Sequence, residues 1–211
     1  MALISWRKDV EPILADLECV RFWDLAATKP LKPGHDPDFT AGVLLAVTRG
    51  QMPGTVKGRW IVCNVTRFRE TPATTDRLMF ERHELDDEMT RKQVPIRVEQ
   101  EGGASGKRDV DGMRRGVFLG LDFDGKSPDG NKAERAKPFS RAAQAGNVDL
   151  VEAAWNQDYL DEHELFPDGL HDDQVDASSG AMKFLRERMA LGGMSAETIP
   201  KGEEAPTWGS I

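Results

Sequence analysis

No apolar run in these 211 residues reaches the roughly 18 positions that a membrane-spanning helix needs. The opening MALISWRKDVEP brings in charge almost at once, so it does not read as a secretory signal. Cysteine is scarce. Cys19 and Cys63 are the only two, and they form neither a disulfide framework nor a thiolate metal pattern. Cys63 lies in the apolar run WIVCNV and reads as a buried reduced thiol, which points to a cytosolic setting. The chain has no internal repeat and no Walker A motif. The stretch Gly102–Lys107 (GGASGK) is one residue short of a phosphate loop, and Arg108 stands where Ser or Thr should be. A nucleotide site is therefore excluded there.

What is present suits one globular domain. Hydrophobic residues make up 39% and charged residues 30%, and the length allows a sizeable core. The net charge of −8 speaks at first against a nucleic-acid partner. Its distribution changes that reading. Ten acidic residues and no Lys or Arg fall between Ala142 and Met182, which leaves a net charge of about +2 on the other residues. Such a segment is either a metal site with its surroundings or a solvated acidic helix face.

The hydrophobic periods predict the elements. Residues 1–18 read as a lead-in with a short helix around Pro12–Glu18. Cys19–Leu25, Thr40–Thr48 and Trp60–Phe68 read as strands, the second a continuous apolar run suited to a buried position. The intervening Ala26–Phe39 and Arg49–Gly58 are loop-like, so the three strands suggest an antiparallel meander. Thr75–Arg91 has helical spacing with a charged outer face. Short strands follow at Pro95–Glu99, Leu119–Phe123 and Val148–Val151. Helices are expected at Lys107–Leu119, Asn131–Ala145 (interrupted or restarted near Pro138), Glu152–Glu164 and His171–Met189. Trp23, Trp60 and Trp155 read as core. The tail 191–211, rich in Gly, Pro and Glu, has little to bury and is expected to be disordered. Adjacent strands followed by alternating helices and strands define an α/β fold with a mixed sheet flanked by helices.

The acidic residues at element ends carry the candidate chemistry. Asp24 ends the first strand, with Trp23 and Leu25 pointing to the opposite face. Glu99 ends a later strand. Asp172 and Asp173 open the last helix, and Asp176 stands one turn on. Brought together, these carboxylates supply the oxygen ligands that Mg²⁺ or Mn²⁺ prefers. Two such ions about 4 Å apart can activate water and stabilise the leaving oxygen at a phosphodiester. They also invert the local charge, so that an acidic pocket can take a polyanion. Each residue alone has a plainer reading. Asp24 can be a turn residue, Asp172 or Asp173 a helix N-cap, and Glu99 or Glu101 a solvated loop acid. Lys107 can meet a phosphate or simply begin a helix. Lys132, Arg135, Lys137 and Arg141 can form a phosphate-contacting stripe or a solvated face. Arg67 and Arg69 alternate with Phe68 and face substrate or solvent, and His171 is either an exposed loop histidine or a group polarising a water or metal ligand.

The ordered segments RFWDLAAT, DFTAGVLL, VEQEGGASGK, KAERAKPFSRAAQAGNVDL and FPDGLHDDQVDASSGA resemble the C-terminal nuclease domain of tailed-bacteriophage large terminases over Val20–Arg188. The resemblance implies an RNase H-like fold over residues 19–190 and a two-metal (Mg²⁺ or Mn²⁺) endonuclease that cuts concatemeric viral DNA, that is, end-to-end joined genomes, during packaging. Asp24 matches the family's first-strand aspartate, and Glu99 its later-strand glutamate, with Glu101 the other possibility. The ligand within HDDQVDA is Asp173, Asp172 or both, and Asp176 either supports the ligands from behind or is a polar residue of helix packing. The implied partners are double-stranded DNA, the small terminase subunit, the ATPase domain and the portal of the procapsid, in the host cell cytoplasm. Since no Walker A motif is present, ATP hydrolysis would lie elsewhere. Two rival readings share parts of this pattern: another RNase H-like nuclease of the resolvase or integrase type, and a non-catalytic module that grips DNA or docks on the portal.

Overall fold

The computed structural model describes residues 1–26, 36–48 and 59–197. Seven strands form one mixed sheet: β1 (Ala2–Ile4), β2 (Leu17–Asp24), β3 (Thr40–Thr48), β4 (Trp60–Phe68), β5 (Ile96–Glu99), β6 (Phe123–Lys126) and β7 (Val148–Val151). Among the described residues, five α-helices accompany it: α1 (Pro72–Thr90), α2 (Gly103–Arg115), α3 (Lys132–Gln144), α4 (Asn156–Leu165) and α5 (Asp173–Glu197). The spatial order is β1-β7-β4-β3-β2-β5-β6. The expected meander is present, with β2 antiparallel to β3 and β3 antiparallel to β4. β5 adds parallel to β2, and β7 parallel to β4.

Both faces of the sheet centre are covered, which is why β3 is buried along its whole length and reads as an uninterrupted apolar run. On one face Val20 and Phe22 of β2 pack with Phe139 of α3, Tyr159 of α4 and Ala177, Ala181 and Met182 of α5. Alternation along β2 places Asp24 on this same face. On the other, Trp23 packs with Met79 of α1, Ile96, Val98 and Val110. Trp23 and Trp60 are core residues, and Trp155 packs against the core from its edge.

Several expectations need correction. Residues 1–18 are more than a lead-in: β1 pairs parallel with β7, and Val10, Leu14 and Leu17 are buried. The chain there forms short helical turns over Trp6–Asp16. The helix expected from Lys107 begins at Gly103 and ends at Arg115. The strand expected at Leu119–Phe123 lies at Phe123–Lys126. α3 runs unbroken through Pro138, and its Asn131 cap accepts from the Glu134 amide. α4 starts at Asn156, because Asn156 ties its side chain to the Ala153 amide and the Val151 carbonyl. α5 continues to Glu197. The rest of the expected tail, and most of both expected long loops, lie outside the described residues. Among the described residues, no helix is long and apolar enough to cross a membrane.

Candidate active site

The site forms where β2, β5 and α5 meet. The parallel register of β2 and β5 pairs Trp23 with Val98. The next residues, Asp24 and Glu99, therefore emerge side by side at the C-terminal strand ends. α5 crosses above them. Its closeness depends on Gly180: a Cβ there would run into the Phe22 ring. The glycine lets the helix settle on β2, and Asp176, one turn earlier, comes down beside Asp24.

The carboxylates meet in a poorly hydrated space. Burial pushes Asp24 well above the usual carboxylate range, and the charges of Glu99, Asp176 and Asp173 add to the effect. Burial also raises Glu99, where Arg135 opposes and Asp176 reinforces the shift. Asp173 is pushed up to about 6, mainly by burial and against a stabilising hydrogen bond from the Phe39 amide. In each case desolvation is the leading cause. Glu101 lies beyond the strand and is exposed, so it is Glu99 that shares the space with Asp24.

Two cations from α3 enter this acidic centre. Lys132 Nζ lies 2.8 Å from Asp172 and 2.9 Å from Asp176. Partial burial opposes its charge, but the hydrogen bonds to Asp172 and Asp176 hold it above its ordinary value. Arg135 donates to Asp176 at 2.8 Å and to Glu99 at 3.4 Å. The expected stripe on α3 thus divides. Lys132, itself half-exposed, and Arg135 pair with the acidic centre, whereas Lys137 pairs with Glu134 on its own helix and Arg141 is exposed. Lys107 is exposed on α2.

The capping alternative for the aspartate pair is answered by a residue that sequence reasoning missed. Glu162 of α4 accepts from the first-turn amides Gln174 N, at 2.6 Å, and Val175 N, at 3.3 Å. It comes from a different helix, so no local sequence signal announces it. With these donors taken, Asp173 accepts from Phe39 N at 3.1 Å and Asp172 is held by Lys132.

A second group gathers at Asp173. Ligand atoms of Asp38, His171 and Asp173 all fall within 4.8 Å of one another; Asp24 and Glu99 are not in this group. Asp38 was not foreseen either. The His171 ring meets Phe39 edge-on at 5.2 Å. Arg67 and Arg69 stack on the same Phe39 ring, at 4.7 and 3.7 Å, and pair with Asp158 and Asp36 respectively. Both arginines therefore brace this wall of the site.

The architecture has known counterparts. Two structures of the human cytomegalovirus terminase nuclease domain, one of them Mn-soaked with an inhibitor bound, align with TM-scores of 0.57 and 0.58. Each covers 90% of this chain and 92% of its own, at 10% identity. The likeness is one of fold, and the fold is RNase H-like. The family described as the terminase RNaseH-like domain matches residues 21–184, and the chain belongs to that family. Membership supports a nuclease role in DNA packaging. No curated protein sequence matches the chain.

Proposed function

We propose that this protein is a divalent-metal-dependent DNA endonuclease that cleaves concatenated viral genomes during packaging. One observation carries the reading: Asp24, buried at the end of β2, feels the charges of Glu99, Asp176 and Asp173, which come from two other segments far away in sequence and disfavour its ionised form. Like charges gathered this way are relieved by a bound cation, and perturbed carboxylates in such a setting mark functional sites.

The residues fit Mg²⁺ or Mn²⁺. The donors are carboxylate oxygens with one imidazole, and the buried Nδ1 of His171 has no hydrogen-bond partner. Asp24, Glu99 and Asp173, with Asp172 beside Asp173, would hold the ions. Bound Mg²⁺ or Mn²⁺ would supply activation of the attacking water and charge for the leaving oxygen. Lys132 and Arg135 keep the carboxylates of Asp172, Asp176 and Glu99 compensated and aimed. Lys107, Lys137 and Arg141 are exposed and suited to DNA phosphates, contacts that orient a duplex without reading its sequence. Site choice would then come from the small terminase subunit, the ATPase domain and the portal, with the reaction taking place in the host cytoplasm.

Supercoiled plasmid incubated with Mg²⁺, Mn²⁺, Ca²⁺ or EDTA tests the proposal. Nicking and linearisation are expected with Mg²⁺ or Mn²⁺ and none with EDTA. Cleavage confined to branched duplex would favour a resolvase. Cleavage undiminished by EDTA would overturn the metal-dependent reading.

A further inference from the structure

We infer that the cavity between α3, α5 and the end of β6 is a subsite for one unpaired nucleotide of the DNA strand presented to Asp24 and Glu99, with its base against the Phe184 ring. This rests on the nuclease reading above and adds to it a base-binding pocket and a local opening of the duplex at the cut.

The first support is the place and size of the cavity. It encloses about 560 Å³, and Glu99 and Arg135 are among its lining residues, so it is continuous with the carboxylate centre. Its volume lies within the roughly 300–1,000 Å³ of small-ligand sites. A nucleotide fits such a space, whereas a duplex, whose major groove alone is about 12 Å wide, cannot enter it.

The second support is the character of the walls. Phe22 and Phe184 line the cavity together with Pro128 and Pro138, and the lining surface is mainly apolar. Gly180 leaves the Phe22 ring uncovered there, since a Cβ at that position would run into it. Phe184 is held in place by cations over its ring, the Arg97 guanidinium at 4.5 Å and Lys126 Nζ at 5.9 Å. An aromatic wall of this kind accepts any base by stacking, because every base has a π-face.

The third support is the polar rim. Lys126, Lys183 and Arg186 bring positive charge to the cavity, and Ser127 and Ser179 bring hydroxyls. The acids among them are engaged by lysines: Asp129 and Glu187 by Lys183, and Glu134 by Lys137. Arg186 is exposed and unpaired among the described residues. Aromatic faces bordered by cations are the combination that binds an unpaired strand without reading its sequence. Taking a base out of its stack costs free energy, which stacking in the cavity offsets. A strand freed in this way can approach Asp24, which lies in a desolvated position.

Chemical-shift mapping by nuclear magnetic resonance, on the full chain in EDTA, tests the subsite without cleavage. The probe is a single-stranded deoxyadenylate trinucleotide, which is expected to shift the amides of Ser127, Ser179 and Phe184. The same trinucleotide with its central base removed should bind about tenfold more weakly, a comparison that needs no variant. Phe184→Leu, which keeps the apolar packing, should weaken the intact trinucleotide about tenfold, and Arg186→Glu should weaken it and flatten its salt dependence. Equal binding of the intact and abasic trinucleotides, shifts confined to residues outside the cavity, or no binding at all would overturn the subsite. None of these outcomes bears on metal-dependent cleavage of plasmid, so failure of the subsite and failure of the nuclease reading are told apart.

Discussion

Lys132 Nζ stands 2.9 Å from Asp176 Oδ2, so a lysine from α3 neutralises a carboxylate buried on α5. Without bound divalent ions, α3 thereby supplies positive charge to the acidic centre. Because Lys132 is 53% exposed, solvent screening limits the pair to about 1 kcal/mol or less. Lys132→Met should lower the melting temperature in EDTA by about 2–4 °C, given the size of the domain. Added Mn²⁺ should restore more stability to this variant than to wild type. Differential scanning calorimetry with and without Mn²⁺ measures both, and identical curves for the two proteins would contradict this role.

Gly180 sets the spacing between α5 and β2. Any side chain there meets the Phe22 ring, two residues before Asp24. Gly180→Val should destabilise by about 3 kcal/mol through overpacking and weaken Mn²⁺ binding, because Asp173 and Asp176 ride on the displaced helix. Chemical denaturation and calorimetric titration check the two effects.

A structural ion pair offers a contrast remote from the chemistry. Arg21 and Asp86 are both fully buried and joined by two bonds of 2.7 Å. Arg21 also donates to the Gly42 carbonyl and the Asn64 side chain at 2.9 Å. Asp86→Ala leaves that guanidinium without its buried partner and should cost about 3–5 kcal/mol. Any fraction that remains folded should bind Mn²⁺ as wild type does.

Acidity should act oppositely on stability and on metal binding. Asp173 is raised from 3.8 to about 6, and Asp24 and Glu99 are raised as well. A raised carboxyl means that the folded state holds the proton more tightly than the unfolded chain. The stability gained through Asp173 is therefore fully present below about pH 3.8 and is lost as pH rises through about 6. Metal binding needs the deprotonated form. Mn²⁺ affinity should thus fall steeply between pH 7 and pH 5, while these groups favour the metal-free fold over the same interval. Calorimetric titrations at several pH values check this, and affinity independent of pH would contradict it.

Much of this was legible in the sequence for definite reasons. β2, β3 and β4 are buried centrally and carry long apolar runs; Asp24 stands where β2 stops, and Glu99 ends the short buried strand β5. β6 was misplaced because Phe118 is fully buried without being in a strand; it stacks on Phe123 at 4.4 Å. Leu119 beside it is 73% exposed, and the strand itself continues into the polar residues Asp124–Lys126. Glycines at positions 103 and 106 hid the start of α2, since glycine is a poor helix former. β1 is three residues long and leaves no periodic trace. In the site, Glu162 and Asp38 went unseen because each reaches α5 from another segment, a relationship that only the fold creates.

The central claim is tested most directly by comparing wild type with Asp24→Ala on supercoiled plasmid in Mn²⁺, with folding checked by circular dichroism and melting. Cleavage by wild type should fall to background in the variant. Its melting temperature should not drop, because the substitution removes a buried charge disfavoured by its neighbours. Substantial cleavage by folded Asp24→Ala would contradict the assignment of this site.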